Sequence, residues 1–370
     1  MKHYLVIALV VTAFIFLPGC WDFHSVDQLS FVTTAGIDQG PENRINLSVQ
    51  VPIPQNVLPP VVEGGKTEKM FYSINTSAKT VNEAFDLLET RTDRSLMISL
   101  NKSIIIGEAA AREGVQPLLD FFTRMPQSPL QALIFITDQI RAEEVLKLTP
   151  APSILPGMFL SSAGQSVTKF DETFFIPLWH FHQKLIHESK DAYAPLIKID
   201  QPHQVYDISG LAVFNGDRMA GKLSIEETEA FGLVTGLSKA ALTVFSSSQN
   251  TITLRTLQAK TKIKVKLRQG IPHFKINTAV NGSINELEKQ EPIYPNIERY
   301  QKSIAAELQH KIEALIKKLQ SCNSDVVNFG EAFRVQHQSV WKKTAWKKVY
   351  PTVPFSVQVK VKILSDGRFR

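Results

Sequence analysis

The sequence is poor in cysteine. Its only two are Cys20 and Cys322, so an acylated Cys20 would leave no intramolecular disulfide, and stability must come from packed cores. Cys322 follows a helical stretch and lacks the helix start or fixed charge pattern that would favour a thiolate. These features indicate a small buried or boundary residue with no catalytic role.

Catalytic motifs are also lacking: the chain contains no nucleophile elbow, P-loop, dinucleotide-binding glycine turn, metal-ligand spacing or N-terminal catalytic thiol. The serines between Ser161 and Ser166 are too loosely spaced to form a motif. Glu226, Glu227 and Glu229 lie at a predicted helix start, where the helix macrodipole accounts for them. The sequence therefore predicts a binding or assembly protein that is not an enzyme and needs no cofactor.

One histidine-rich segment invites comparison with a zinc site. It contains Trp179, His180, His182 and His187. On a helix His180 and His182 face apart, and no His-Glu-x-x-His motif or nearby cysteine completes a ligand set, although His180 and His187 share a face. We expect a structural or surface role and no bound metal.

Long apolar runs are absent except at the N-terminus, where Leu5 to Leu17 follow Lys2. A run of about 13 residues matches the core of a signal peptide and falls short of the roughly 20 residues that span a bilayer. Leu17-Pro18-Gly19-Cys20 then places a small residue before a cysteine, the pattern of a bacterial lipobox. We therefore expect residues 1–19 to be a signal peptide and Cys20 to be the lipid attachment site. An uncleaved signal anchor and an ordinary secreted protein are the alternatives.

The composition is that of a folded protein, with 44% hydrophobic and 21% charged residues and a net charge of +6. Removal of Lys2 with the signal would leave a mildly basic chain, which suits an anionic lipid surface or acidic partners and does not single out nucleic acid. The length predicts two or three domains. We expect a multi-domain α+β protein.

Residues 20–202 are predicted to form a mixed α/β region, because strand-like and helix-like segments alternate. The expected boundary lies near residues 200–207. The predicted strands are 29–37, 45–51, 70–74, 103–106 and 130–136, and the predicted helices are one capped by Ser77, then 108–124 and 139–148.

Residues 203–370 are predicted to form a C-terminal α+β domain with an antiparallel sheet. An Asn215-Gly216 hairpin and a Ser224–Glu227 capping box open it. Three strands follow, with Ile252, Ile263 and Phe274 among their apolar residues, and a helix at 296–320 is predicted to pack on the sheet, although a coiled-coil partner is the sharper alternative. The lysines at 262, 264 and 266 indicate a solvated strand face that discourages edge pairing or, less simply, a partner or lipid-headgroup surface. The strand at 355–363 closes the chain.

The segment from Trp341 to Lys348 combines two tryptophans with four lysines. Such a composition resembles a membrane-interface or nucleic-acid patch. The commoner explanation, which we favour, places the tryptophans in the core and the lysines in solvent.

Four segments together carry a family resemblance: Gly19-Cys20-Trp21-Asp22, Ala35-Gly36-Ile37-Asp38, Gly210-Leu-Ala-Val-Phe214 and Trp346 to Gly367. In this order they resemble the Ger(x)C family of spore germination lipoproteins over nearly the whole chain. The resemblance implies the C subunit of a nutrient germinant receptor, beside an A subunit and a permease-like B subunit, on the outer face of the spore inner membrane. It carries over Cys20 as the lipid attachment site, whereas Trp21 and Asp22 match the pattern without an assigned role. The nutrient would act through the complex. The rivals are a solute-binding lipoprotein of a transporter, which would need two similar α/β lobes, and a cell-wall hydrolase.

Overall fold

The computed structural model describes residues 3–4, 25, 28–53, 70–148, 160–162, 175–237, 242–246, 251–287 and 293–365. The predicted signal peptide, Cys20, Trp21 and Asp22 lie outside these ranges. Within the described part of the chain, no helix combines the length and apolarity needed to span a bilayer. The mixture of helices and sheets confirms the predicted α+β class.

The strands, in chain order, are β1 (Leu29–Phe31), β2 (Thr34–Gln39), β3 (Ile45–Pro52), β4 (Phe71–Ala78), β5 (Ser95–Met97), β6 (Ser103–Ile106), β7 (Leu133–Thr137), β8 (Ile176–Pro177), β9 (Tyr193–Asp200), β10 (Val205–Asn215), β11 (Arg218–Leu223), β12 (Leu242–Ser246), β13 (Thr251–Arg268), β14 (Ile271–Leu287) and β15 (Phe355–Ser365). The helices are α1 (Val81–Glu89), α2 (Glu108–Glu113), α3 (Gln116–Arg124), α4 (Ala142–Lys147), α5 (Leu178–Leu185), α6 (Ile225–Thr235), α7 (Ile293–Ser321), α8 (Phe329–Gln336), α9 (Gln338–Trp341) and α10 (Trp346–Val349).

A nine-stranded mixed sheet forms the larger layer, in the order β11-β10-β9-β7-β6-β2-β3-β4, with β8 beside β7. Strands β2, β6, β7 and β9 run parallel, and the outer strands are antiparallel. The predicted domain boundary falls at the turn between β9 and β10, which pair directly in this sheet. The sheet is therefore continuous across that turn, and the division into domains stays a prediction.

The second large sheet has the order β12-β13-β14-β15. Its last pair, β14 with β15, is parallel, which corrects the expectation of a purely antiparallel sheet. The physical reason is the connection: a parallel neighbour needs a long crossover, and α7 to α10 supply it. Helix α7 buries Tyr300, Ile304, Leu308, Ile312, Leu315 and Leu319 and contacts β15, so the predicted packing of this helix on the sheet is confirmed.

Several predicted element bounds were wrong. Helix α1 begins after Thr80, whose hydroxyl accepts the Glu83 N–H, and Ser77 is still in β4. The predicted helix 108–124 is broken at Gly114, where φ is +138°. The predicted strand 29–37 is two strands in different sheets, β1 and β2.

Turn and cap chemistry set the start of the second half. The Ser224–Glu227 capping box is present as predicted and opens α6. The hairpin before it uses Gly216 and Asp217 as its two loop residues, because Asn215 pairs with Arg218. The positive φ of +62° at Gly216 is therefore the feature that the turn requires, and the predicted turn was one residue too early.

Candidate functional site

The nine-stranded sheet places charged side chains at the carboxyl ends of its parallel strands, where open α/β sheets commonly form clefts. Asp38 lies at the end of β2, Glu108 follows β6, and Asp138 follows β7. A cleft of about 660 Å³ opens there, lined by Asp38, Glu108 and Arg141 among others. The polar side chains at this edge form the first of two clusters that link distant parts of the chain.

Asp38 acts as a helix cap within this cluster. It is buried, and its carboxylate accepts the backbone N–H groups of Ala142 at 2.8 Å and Glu143 at 3.0 Å. Burial raises the pKa of Asp38, and the two donated hydrogen bonds oppose that rise. Asp38 ends one of the four segments that carry the family resemblance, and its role in the fold is to fasten α4 to β2.

A three-residue ion cluster lies at the same edge. Lys222 of β11 donates to Glu108 and to Asp138, with 2.6 Å between nitrogen and oxygen in both pairs. Ser209 also donates to Asp138 at 2.8 Å, and Arg112 to Glu108 at 2.7 Å. Burial alone would raise the pKa of both carboxyl groups, but the donated hydrogen bonds outweigh it and both pKa values lie below their ordinary range. Burial alone would lower the pKa of Lys222, but its hydrogen bonds to Asp138 and Glu108 outweigh this effect and raise the pKa.

The cluster predicts a pH dependence of stability that the substitution Lys222→Met should weaken. Because the folded pKa values of Glu108 and Asp138 are lowered, their stabilisation is complete above their unfolded values, near pH 4 to 4.5, and is lost as the pH falls through the folded values. We expect Lys222→Met to lower the free energy of unfolding at pH 7 by about 2 kcal/mol and at pH 3 by clearly less.

Urea denaturation of wild type and Lys222→Met at pH 7 and pH 3 measures this difference. Arg124→Met is the control, since Arg124 lies on α3 away from the cluster and pairs with Asp120 at the surface, where the two side chains are 79% and 56% exposed. Equal losses for Lys222→Met at the two pH values would contradict the prediction.

The second cluster is a buried acidic junction formed by Asp191, Asp325 and Lys347. The Asp191 carboxylate accepts the backbone N–H of Asp325 at 2.7 Å and of Gly216 at 3.0 Å. Lys347 donates to both of its oxygens, at 2.5 and 2.6 Å. Asp191 is only 2% exposed, so the ammonium group supplies the counter-charge that a buried carboxylate needs.

Asp325 completes this acidic junction as a fully buried acceptor. It receives the N–H of Phe329 at 2.8 Å, the N–H of Gly330 at 2.6 Å and the indole N–H of Trp346 at 3.0 Å. Burial raises the pKa of Asp325 to about 7, and these hydrogen bonds oppose the rise. A Cβ at Gly330 would lie 2.5 Å from the Trp346 indole nitrogen, so the close approach requires glycine.

The two tryptophans of the segment from Trp341 to Lys348 pack against core aromatic residues, whereas three of its four lysines are exposed. Trp346 is 4% exposed and packs against Phe274, Phe333 and Tyr350, and Trp341 is half-buried against Phe333. This arrangement confirms the favoured interpretation for the tryptophans. Lys347 departs from it, because its ammonium group is held by Asp191.

The histidine segment forms no metal site in the described residues. His180 and His187 do share one small cavity of about 210 Å³, which Lys184 and Tyr193 also line. His187 Nδ1 lies 3.0 Å from the Ser189 hydroxyl. Lys184 is buried with its ammonium group 5.3 Å from the centre of the Tyr193 ring, and burial lowers its pKa to about 8.

The other residues singled out in the sequence have plain structural surroundings. Cys322 is half-buried, and its sulfur packs closely against Gly221, because a Cβ added to that glycine would lie 2.7 Å from the sulfur. Glu227 accepts the Ser224 N–H in the capping box and pairs with Lys318 of α7. Sequence patterns had missed the Asp191–Lys347 and Lys222–Glu108 pairs, because their members lie more than a hundred residues apart.

These features define an α+β protein whose polar clusters are structural, and comparison with known proteins supplies its family. The family model described as "Spore germination protein N-terminal domain" matches residues 22–199, and the model described as "Spore germination B3/ GerAC like, C-terminal" matches residues 209–367. The chain therefore belongs to the Ger(x)C family of spore germination proteins. This family is not enzymatic, which confirms the predicted absence of a catalytic activity.

Individual relatives match over nearly their full length. Spore germination protein KC of Bacillus subtilis (strain 168) is 23% identical, with 99% of this chain and 97% of that protein covered. Spore germination protein B3 of the same organism is 24% identical, with 95% of each chain covered. The crystal structure of the GerBC protein matches with a TM-score of 0.57 and 20% identity, covering 92% of this chain and 100% of that one. The last match shows a shared fold.

Proposed function

We propose that this protein is the C subunit of a nutrient germinant receptor, held by lipid on Cys20 at the outer face of the spore inner membrane. In this proposal it acts in receptor assembly and signalling beside an A subunit and a B subunit. The observation that carries the proposal is the family match, which spans both halves of the chain. The lipobox pattern Leu17-Pro18-Gly19-Cys20 supports the lipid attachment.

The fold gives further support to an assembly role. The described clusters join distant parts of the chain through partly buried ion pairs and hydrogen bonds. The second half contains a four-stranded sheet that does not repeat the nine-stranded one. The rival solute-binding lipoprotein would need two similar lobes around a cleft. The described residues therefore do not show that arrangement.

The test is nutrient-triggered germination of spores that carry wild type, a deletion, Cys20→Ala or Cys322→Ala, followed by loss of optical density. Calcium dipicolinate serves as the receptor-independent control. We expect the deletion to abolish the response to some nutrients and Cys20→Ala to impair it strongly, because acyl chains on Cys20 supply about 0.8 kcal/mol of membrane affinity per buried CH₂. The matched variant Cys322→Ala changes the other cysteine and should germinate normally.

Fractionation of the same spores separates the anchor from the receptor role. Wild type and Cys322→Ala should remain with the membrane at high salt, and Cys20→Ala should not be retained. An uncleaved signal anchor would instead keep Cys20→Ala in the membrane fraction with the first 19 residues still attached, as the mass of the protein would reveal. Normal germination of the deletion strain under every nutrient, in the absence of redundant receptors, would refute the receptor assignment.

A further inference from the structure

The outer face of the four-stranded sheet carries positive charge alone. We call this surface the basic face and define it by eight exposed cationic side chains: Lys260, Lys262, Lys264, Lys266, Arg268, Lys275, Lys360 and Lys362. The alternate residues of the same strands, such as Val265 and Val357, are buried toward the helices. No aspartate or glutamate occurs between Glu229 and Glu286, or between residues 355 and 365.

Strand register brings these cations side by side. Lys264 lies directly opposite Lys275, and Lys360 lies in the same row as Lys260, with Ala279 between them. Like charges in directly opposite positions destabilise a sheet, and a face adapted only to water would intersperse both signs. None of the eight cations forms an ion pair with another described residue. The basic face therefore retains a repulsion that a polyanionic partner would relieve.

The composition of the basic face fits a lipid surface better than a protein partner. Specific protein interfaces are enriched in aromatic residues and arginine and depleted in lysine, whereas seven of these eight cations are lysines and the three strands expose no large aromatic side chain here. The lysines are spaced about 7 Å apart along β13, on a sheet surface that is about 30 Å long. Two exposed apolar residues, Leu257 and Ile271, flank the row on β13 and β14.

We propose that the basic face is a docking surface for anionic phospholipid headgroups, which orients the protein on the membrane. This inference rests on the proposed function only in that the lipid on Cys20 would bring the face to a bilayer. Its chemistry is independent of that anchor, because the attraction of each lysine to an anionic surface arises from charge alone. The phosphate diester of the headgroup is the group recognised, and lysine binds it as a point charge.

Vesicle binding by unlipidated protein tests the inference. The probe is the mature chain from position 20 with Cys20→Ala, which retains every helix and strand named above, mixed with vesicles of phosphatidylcholine alone or with about one third phosphatidylglycerol. We expect binding only to the phosphatidylglycerol vesicles, weakened at least tenfold when NaCl rises from about 0.05 to about 0.5 M. Changing Lys262, Lys264, Lys275 and Lys360 together to glutamine should weaken it by about a thousandfold.

The control variant changes four exposed lysines elsewhere, Lys79, Lys102, Lys302 and Lys317, to glutamine, with the same loss of charge. It should bind within about threefold of the unlipidated wild type, and circular dichroism should show both variants folded. Three outcomes would each overturn the proposal. The protein could bind equally to both kinds of vesicle, or the two variants could lose equal amounts of binding. Free phosphate could also compete with the vesicles at equal phosphorus concentration. Absence of vesicle binding, with the basic-face variant still impairing germination, would assign the face to an acidic protein partner. Because the protein carries no lipid in this test, either result leaves the test of Cys20 unaffected.

Discussion

Replacing Asp325 by alanine is expected to lower the free energy of unfolding by about 4 kcal/mol. The carboxylate is completely buried and receives three hydrogen bonds, from the N–H groups of Phe329 and Gly330 and from the Trp346 indole. Alanine leaves all three donors without an acceptor in a site closed to water. Each unsatisfied buried donor costs about 1 to 3 kcal/mol, and partial relaxation keeps the total below the sum.

Urea denaturation at pH 7, followed by far-ultraviolet circular dichroism, measures the loss. Asp93→Ala is the matched control: it removes the same group from a side chain that is 86% exposed and whose closest cation, on Arg94, lies 3.9 Å away. The control should unfold within about 0.5 kcal/mol of wild type. Asp325→Asn tests the chemistry further, because it keeps the volume and turns one acceptor into a donor that faces other donors. Recovery of wild-type stability in that variant would contradict the role assigned to the carboxylate.

The elements that could be predicted from the sequence are those specified by neighbours in the chain. Strand β6 coincides with the predicted segment 103–106, and the capping box at Ser224 and Glu227 starts α6 as expected. Helix α7 was predicted because one apolar residue in every three or four suffices to reveal a face that packs on a sheet. Each of these signals lies within a window of a few turns or one strand.

The features that were missed depend on contacts across the fold. Gly114 breaks the predicted helix 108–124, and the backbone N–H of the next residue, Val115, donates to the Asp217 carbonyl in the β10–β11 turn. Nothing near Gly114 in the sequence specifies that partner. The parallel alignment of β15 likewise depends on the path of the crossover helices, and alternation of apolar residues is the same for either direction.

The polar clusters show the same limit for the candidate site. The Asp191–Lys347 pair spans 156 positions and the Asp138–Lys222 pair spans 84, so local spacing carries no sign of either. Lys347 was expected in solvent because it lies in a run of lysines; its side chain is 39% exposed, and the buried Asp191 carboxylate holds its ammonium group. Cys20 is the reverse case: its pattern is local and strong, and the lipid attachment stays a prediction because the residue lies outside the described ranges.

The second large effect is expected at Gly210, which begins another of the segments that carry the family resemblance. Its φ is +138°, and an added Cβ would lie 1.9 Å from the Leu223 carbonyl oxygen of the neighbouring strand. Pairing of β9 with β10 shifts register between Ile208 and Gly210, so this backbone conformation belongs to a bulge. We expect Gly210→Ala to lower the free energy of unfolding by about 4 kcal/mol or more, through strain at a conformation reserved for glycine and through displacement of β11.

Gly236→Ala separates these two contributions. Gly236 ends α6 with a positive φ of +72°, and nothing lies within 4 Å of a Cβ placed there. Its substitution should therefore cost only about 1 kcal/mol, the usual penalty for a non-glycine residue in the left-handed region. Urea midpoints of the two variants, or their soluble yields where Gly210→Ala does not fold, measure the difference. Equal midpoints would show that β11 moves away from the added methyl group at little cost, and the close packing of β10 on β11 would then not explain the glycine at position 210.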